Sequence, residues 1–216
     1  MKKFILAVAL LSLATAAYAY DDHDFQVWNT DAEEIKINAR ARIALEQEFR
    51  WGDNAGELFY QHYDAGLFYD LNKHLNIGGG YRQIYFKSGD KFRPEEAPFI
   101  TATLSGDWKG FRFDDRSRLE YRHFSYQTDS WRYRNKFTMK FPWKFGRMEI
   151  QPYVSDEVLI VFGVIDQFNE NRFASGLGFS LFKNLKAEIY YMLRSVKGTG
   201  AWIDSNVLGT KLKLVF

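Results

Sequence analysis

The sequence contains no cysteine and only four prolines among its 216 residues. Without cysteine the chain can form neither a disulfide nor a thiolate metal site, which excludes disulfide-stapled and zinc-finger folds. Scarce proline favours long β-strands, because proline cannot donate a hydrogen bond within a sheet. Any stability of this chain must therefore come from its packing and its hydrogen bonds.

Long apolar runs are missing beyond residue 19, and the mean hydropathy of the chain is negative. A helical membrane protein needs about 20 consecutive apolar residues for each crossing, so this class is excluded. A membrane-spanning β-barrel is not excluded, because only every second residue of its strands contacts lipid.

Residues 1–19 have the features of a secretory signal peptide. Lys2 and Lys3 form its positive start, an apolar run follows, and Ala17-Tyr18-Ala19 matches a small-x-small cleavage site. The sequence therefore predicts a cleaved signal peptide over residues 1–19 and a single exported domain over residues 20–216.

An excess of charge of one sign is also absent. The chain has 29 basic and 27 acidic residues. Since Lys2 and Lys3 leave with the signal peptide, the exported domain is close to neutral. This balance argues against nucleic acid as a partner.

What the exported domain does contain is strand after strand of alternating apolar and polar residues, with many aromatics. The alternation predicts candidate strands at residues 25–34, 39–51, 57–71, 75–87, 97–108, 110–124, 131–142, 147–161, 170–182, 185–195 and 205–216. Bacterial single-chain barrels have an even number of strands. We therefore predict an antiparallel transmembrane β-barrel of ten strands, if the segment around Trp28 is not a wall strand, or of twelve, if one strand is missed.

The connections between these strands fall into two groups. Short turns are predicted near residues 36–38, 72–74, 108–110, 144–146 and 183–184. Longer polar links are predicted near residues 52–56, 88–96, 163–169 and 196–204. In outer-membrane barrels the short turns lie at the periplasmic rim and the longer loops at the other.

The composition of the two faces of the predicted strands indicates which face contacts water. One face is largely charged and the other is apolar, the strands are long, and most tryptophans fall near strand ends, where interfacial belts lie. The terminal strand also closes on an aromatic, Phe216. We predict that the charged face points into the lumen, with these lumen-facing residues: Arg40, Arg42, Glu46, Glu48, Arg50, Arg112, Asp114, Arg116, Arg118, Glu120, Arg122, Arg132, Arg134, Lys136, Glu157, Arg172, Glu188 and Arg194.

The orientation of the faces and the state of the lumen each leave an alternative open. A soluble barrel would bury the apolar set and hydrate the charged set. With the charged set inside, the lumen is either filled by a cross-strand ladder of ion pairs or forms a narrow, mildly anion-favouring pore.

His123 and Ser125 are the one candidate for chemistry. Two residues apart on a strand share a face, here the outward one, which would place a base beside a nucleophile. The pair resembles the His-x-Ser element of outer-membrane lipid A deacylases, and Asp129 is the nearby acid. A lipid-modifying hydrolase is therefore the alternative to a barrel without enzymatic activity.

Other candidate sites are weaker. Asp21-Asp22-His23-Asp24 offers metal-ligand atoms without a recognised spacing, so we interpret it as a solvated tail. We predict no metal, no cofactor and no further catalytic residue.

Several stretches resemble an uncharacterised family of bacterial outer-membrane barrels, domain of unknown function 2490. These stretches are Asp24 to Trp28, Leu45 to Arg50, Arg116 to Arg122, Trp131 to Arg134, Ser155 to Glu157 and Asn171 to Leu181. The resemblance implies location in the outer membrane of a Gram-negative bacterium and brings no catalytic residues with it. Outer-membrane lipids and the barrel-assembly machinery are the partners that follow. We therefore expect a structural role, or a narrow transport or surface-interaction role.

Overall fold

The computed structural model describes residues 22–163, 167–197 and 201–216, and these residues form a closed all-β barrel. The prediction of an all-β barrel is confirmed. None of the described residues forms a helix that could cross a membrane. The strands are β1 (Asp24–Lys36), β2 (Ala41–Gly52), β3 (Glu57–Asp70), β4 (Leu75–Ser88), β5 (Lys91–Trp108), β6 (Phe111–Arg122), β7 (Ser130–Lys140), β8 (Gln151–Phe162), β9 (Gln167–Ser180), β10 (Leu185–Lys197) and β11 (Trp202–Val215).

The barrel has eleven strands in the described part of the chain, so the predicted count of ten or twelve is wrong. Consecutive strands pair antiparallel, whereas β1 and β11 close the barrel as a parallel pair. Trp28 lies in a wall strand, since it faces Gly209 on one side and Arg50 on the other. Alternation within each segment predicted the strands, but nothing local in the sequence states how the first and last strands meet.

β5 begins six residues earlier than predicted. The polar segment 88–96 was expected to be a loop, yet β5 already begins at Lys91, which pairs with Ser88. Gly89 makes this tight turn possible, because its φ of 61° lies in the left-handed region that favours glycine. Residues 91–96 were therefore predicted as a loop because they are polar, although they belong to the strand.

The predicted difference in loop length between the two rims of the barrel is not observed. We call the end where β1 begins the N-terminal rim and the end where β11 finishes the C-terminal rim. The longest connection at the N-terminal rim is 123–129, and the longest at the C-terminal rim is 141–150. The sequence suggested a short turn at 144–146. In the structure the connection runs from 141 to 150 and contains an isolated antiparallel bridge between Phe145 and Ile150.

The strands expose one face and bury the other. Outward residues are large and apolar: Leu67, Ile100 and Leu193 are at least half exposed. Inward residues are polar, and Glu120 and His62 are fully buried. The side chains that a water-soluble protein would hide thus lie on the outer surface, and its charged side chains lie inside.

Gly80 lets the neighbouring wall strands β3 and β4 approach closely. A Cβ atom at this position would lie 2.3 Å from the backbone oxygen of Ala65 and 2.7 Å from the Cα of Gly66. Because backbone atoms cannot move aside cheaply, we expect Gly80→Ala to lower the free energy of unfolding by about 1–3 kcal/mol. Urea unfolding of the two proteins under the same conditions measures this loss.

The matched control is Gly106→Ala in β5, where a Cβ would meet nothing within 4 Å. This variant should unfold near the wild-type midpoint. Equal losses for the two alanine variants would contradict the role of close strand packing at Gly80.

Candidate functional site

The barrel interior is organised around buried carboxylates that each accept hydrogen bonds from several arginines. Glu157 on β8 is buried and binds Arg116 at 2.9 Å, Arg134 at 2.8 Å and Arg172 at 3.1 Å. These arginines come from β6, β7 and β9, and they meet because the alternation of each strand turns them inward. One carboxylate thereby joins four neighbouring strands.

Glu120 on β6 forms a second centre of the same kind. It accepts hydrogen bonds from Arg132 at 2.5 Å and Arg134 at 3.2 Å, and Arg118 lies 3.8 Å away. Because Arg134 also binds Glu157, the two centres form one network. Charge-assisted hydrogen bonds of this type are among the strongest in proteins.

Trp28 is the apolar counterpart of this network. The guanidinium of Arg50 lies 3.6 Å from the centre of the Trp28 ring and 4.0 Å from that of Tyr60, so it is held between two aromatic faces. Trp28 donates to Gln26 at 3.0 Å, and Arg50 binds Glu48 at 2.6 Å. A weakly hydrated guanidinium is suited to such a cation–π sandwich.

The structure places most residues of the predicted charged set on the inward face. Arg42 binds Asp70 at 3.1 Å near the C-terminal rim, whereas Arg40 is exposed in the connection 37–40. Lys136 and Glu188 line the central cavity. The remaining members form ion pairs inside the barrel: Glu46, Glu48, Arg50, Arg112, Asp114, Arg116, Arg118, Glu120, Arg122, Arg132, Arg134, Glu157, Arg172 and Arg194.

Sequence reasoning missed several members of the network. These residues lie on strands where neither face is strongly charged. The alternation of charged and apolar residues is therefore weaker on those strands. Counting by twos along β3 would have found His62 and Asp64 together. The missed charged or titratable residues are His62, Asp64, Arg82, Glu95, Glu170 and Lys211.

Glu46, His62 and Asp64 bring possible metal-ligand atoms within 4.8 Å of one another. Arg82 lies 2.6 Å from Asp64, and Lys211 lies 2.6 Å from Glu46. Both carboxylates are thus already compensated by a cation of the chain. The arrangement is that of an ion-pair cluster, and a divalent cation would have to displace these partners.

Cavities lined by the described residues follow one another along the axis of the lumen. The central cavity, between Trp28 and Lys211, has a volume of about 120 Å³. A cavity of about 470 Å³ opens toward the N-terminal rim, and one of about 770 Å³ opens toward the C-terminal rim. The ionic network therefore occupies the narrowest part of the interior, between two wider chambers.

β6 ends at Arg122, so His123 and Ser125 lie beyond it, although His123 still forms an antiparallel bridge with Glu96. His123 instead lies 2.9 Å from Asp129 through its Nδ1 atom. Asp129 also accepts hydrogen bonds from the Tyr121 hydroxyl at 2.6 Å and the Phe124 amide at 2.9 Å. Within residues 22–163, no hydrogen bond joins Ser125 to His123. Asp129 thus fastens the 123–129 connection to the end of β6.

The contact between His123 and Asp129 depends on pH. The hydrogen bond to Asp129 raises the pKa of His123, and those from His123, Tyr121 and the Phe124 amide lower the pKa of Asp129 to about 2. The contact between His123 and Asp129 contributes fully to the stability of the loop at a pH between the ordinary pKa of aspartate, about 3.9, and that of histidine, about 6.5. It is lost as the pH rises through the raised pKa of His123 or falls through that of Asp129.

We expect Asp129→Asn to return the pKa of His123 toward its ordinary value, which an NMR titration of the imidazole measures. Glu96 also raises the pKa of His123, so the variant should keep part of the shift. Asp90→Asn, at an exposed turn of the same rim, is the control and should leave the titration unchanged. An unaltered His123 titration in Asp129→Asn would contradict the assignment.

The model of a family described as protein of unknown function (DUF2490) matches residues 25–204, which confirms the resemblance drawn from the sequence. No curated protein matches the chain.

Proposed function

This chain belongs to the DUF2490 family of unknown function, and from its barrel we propose that it is an outer-membrane β-barrel whose lumen is closed by ion pairs. Its role is structural or one of surface interaction at the rims, and not that of an open channel. The observation that carries the proposal is the combination of an apolar outer face with a charged, hydrogen-bonded interior.

The tryptophans support a membrane location. Trp51, Trp131 and Trp202 lie at strand ends of the N-terminal rim, and Trp108 and Trp143 lie at the C-terminal rim. Transmembrane barrels carry aromatic girdles at both interfaces, because an indole ring suits the boundary between hydrocarbon and water. The apolar residues of the outer face fill the band between these two groups.

Three of the acidic residues on the outer face have an amide partner. Asp31 accepts a hydrogen bond from Gln47 at 3.3 Å, and Asp115 accepts one from Asn135 at 2.7 Å. Asp156 is bonded in the same way by Asn171 at 2.9 Å. Acidic groups on the lipid face cost less than basic ones, and a hydrogen-bonded partner lowers that cost further. This face is thus compatible with lipid.

The narrow centre of the lumen supports a closed barrel. Its cavity of about 120 Å³ has room for about four water molecules. Opening a path there requires that buried ion pairs separate, and breaking such a pair leaves an uncompensated charge. A rigid network of this kind holds the wall strands together and blocks ion flow.

Fractionation of a Gram-negative host that expresses the full-length chain tests the location. The proposal predicts the protein in the outer-membrane fraction, with mobility on SDS gels that changes after heating. Recovery as a periplasmic protein that needs no detergent would overturn the membrane location.

Planar-bilayer recordings test the closed lumen separately. The folded protein should insert without steady conductance steps across a range of potentials, and a heat-denatured sample serves as the background control. Stable ohmic openings of uniform size would contradict the closed lumen and favour the narrow pore.

A further inference from the structure

The chamber at the N-terminal rim has the lining of a binding site. Its volume of about 470 Å³ lies within the range of about 300–1,000 Å³ that is usual for small-molecule sites. Apolar and aromatic residues cover one part of its wall, namely Phe59, Tyr60, Ile84, Phe86, Phe124, Tyr126 and Leu159. Seven arginines cover much of the rest, namely Arg50, Arg93, Arg122, Arg132, Arg134, Arg172 and Arg194. We call this chamber the arginine cavity.

The carboxylates that face the arginine cavity do not balance its positive charge. Glu95 is shared between Arg122 at 2.7 Å and Arg132 at 3.6 Å. Glu170 is likewise shared between Arg172 at 2.7 Å and Arg194 at 2.6 Å.

The carboxylates deeper in the barrel do not make up this difference. Glu48 pairs with Arg50 at 2.6 Å. Glu120 and Glu157 reach Arg132, Arg134 and Arg172 from the central network, but Glu157 also binds Arg116 and Glu120 also faces Arg118. Guanidinium groups therefore outnumber carboxylates, and this positive charge is confined between low-dielectric walls, where it attracts anions strongly.

Arg93 gives the cavity a cation without an acidic partner. In the described part of the chain, no carboxylate lies within salt-bridge distance of Arg93. Its guanidinium lies 4.9 Å from the centre of the Tyr126 ring, in a cation–π contact. Arg122 lies at the same distance from the ring of the buried Phe124. Cationic and aromatic groups are thus paired side by side at the mouth.

We propose that the arginine cavity binds a small aromatic anion, a carboxylate or a phosphate ester. The anionic group would bind the guanidinium of Arg93, because the planar fork of arginine matches carboxylate and phosphate oxygens. The ring of the ligand would pack against Phe124 and Tyr126, which gives a flat apolar group a matching surface. A cation would be repelled by the guanidinium groups, and an inorganic anion has no ring to pack against Phe124 and Tyr126.

Calorimetric titration of the folded, detergent-purified full-length chain with phenyl phosphate at low ionic strength tests the proposal. Benzoate replaces the phosphate group, inorganic phosphate removes the ring, and benzylamine reverses the charge. We expect phenyl phosphate or benzoate to bind with saturation, and the other two probes to bind at least tenfold more weakly. The comparison of phenyl phosphate with benzoate decides which anionic group is preferred.

Arg93→Gln provides the test of the site. Arg93 holds no carboxylate, so its removal should leave the barrel folded and weaken binding about tenfold, as the loss of one charge-assisted hydrogen bond implies. Arg147→Gln is the matched control, since Arg147 is exposed at the opposite rim. Absence of saturable binding by the wild type, or equal affinity in Arg93→Gln and Arg147→Gln, would overturn the proposal. Inorganic phosphate binding as tightly as phenyl phosphate would overturn the aromatic part.

These outcomes are separate from the test of the proposed function. Binding to the folded barrel in detergent does not depend on whether the protein resides in the outer membrane. A barrel found in the outer membrane that fails to bind the probes refutes only this inference.

Discussion

Replacement of Glu157 by glutamine is expected to lower the free energy of unfolding by about 3–5 kcal/mol, the usual cost of breaking a buried ion pair by removing one partner. Glutamine has nearly the same shape, so the loss comes from the charge. Arg116, Arg134 and Arg172 would then share no carboxylate at this position, and Arg134 and Arg172 are buried. Urea unfolding of the protein in lipid vesicles measures the difference.

The control for this variant is Glu149→Gln. Glu149 forms an exposed pair with Lys144 at 3.2 Å, and exposed pairs contribute about 0–1 kcal/mol. The control should therefore unfold close to the wild type. If Glu157→Gln unfolds no earlier than Glu149→Gln, the interior network does not stabilise the barrel.

Trp28→Ala is expected to cost a similar amount, about 3–5 kcal/mol, because it leaves a cavity beside Met192 and Val207 in the small apolar cluster of the interior. It also removes one of the two rings that hold Arg50. Trp28→Phe should be considerably more stable than Trp28→Ala, because it keeps an aromatic face for Arg50. It should remain less stable than the wild type, because it loses the hydrogen bond to Gln26.

Trp143→Ala serves as the comparison, since Trp143 is more than half exposed at the C-terminal rim. We expect a smaller loss for this variant than for Trp28→Ala when both are unfolded by urea in the same vesicles. The opposite order would show that Trp28 does not organise the interior.

The sequence was most informative where a strand has one charged and one apolar face. In β6 the residues from Arg112 to Arg122 alternate so regularly that both the strand and its face could be predicted. In β3 the polar residues fall on both faces, for example Gln61 beside His62, and the inward set was missed. Periodicity reports a face only when burial separates the two sets of side chains.

Features that depend on distant parts of the chain were beyond the sequence. The parallel pairing of β1 with β11 follows from the odd number of strands, and no local pattern states it. The contact of His123 with Asp129 depends on the path of the 123–129 connection, since Asp129 turns back toward the end of β6. The charge imbalance of the arginine cavity likewise becomes visible only when six strands bring their seven arginines together.

Refolding of the chain from residue 20 in the presence and absence of lipid vesicles tests the central claim most directly. The claim is that apolar side chains face lipid while charged side chains fill the barrel. It predicts that a sheet-type circular dichroism spectrum and heat-dependent mobility on SDS gels appear only with vesicles or detergent. A folded monomer in plain buffer, without either, would contradict it.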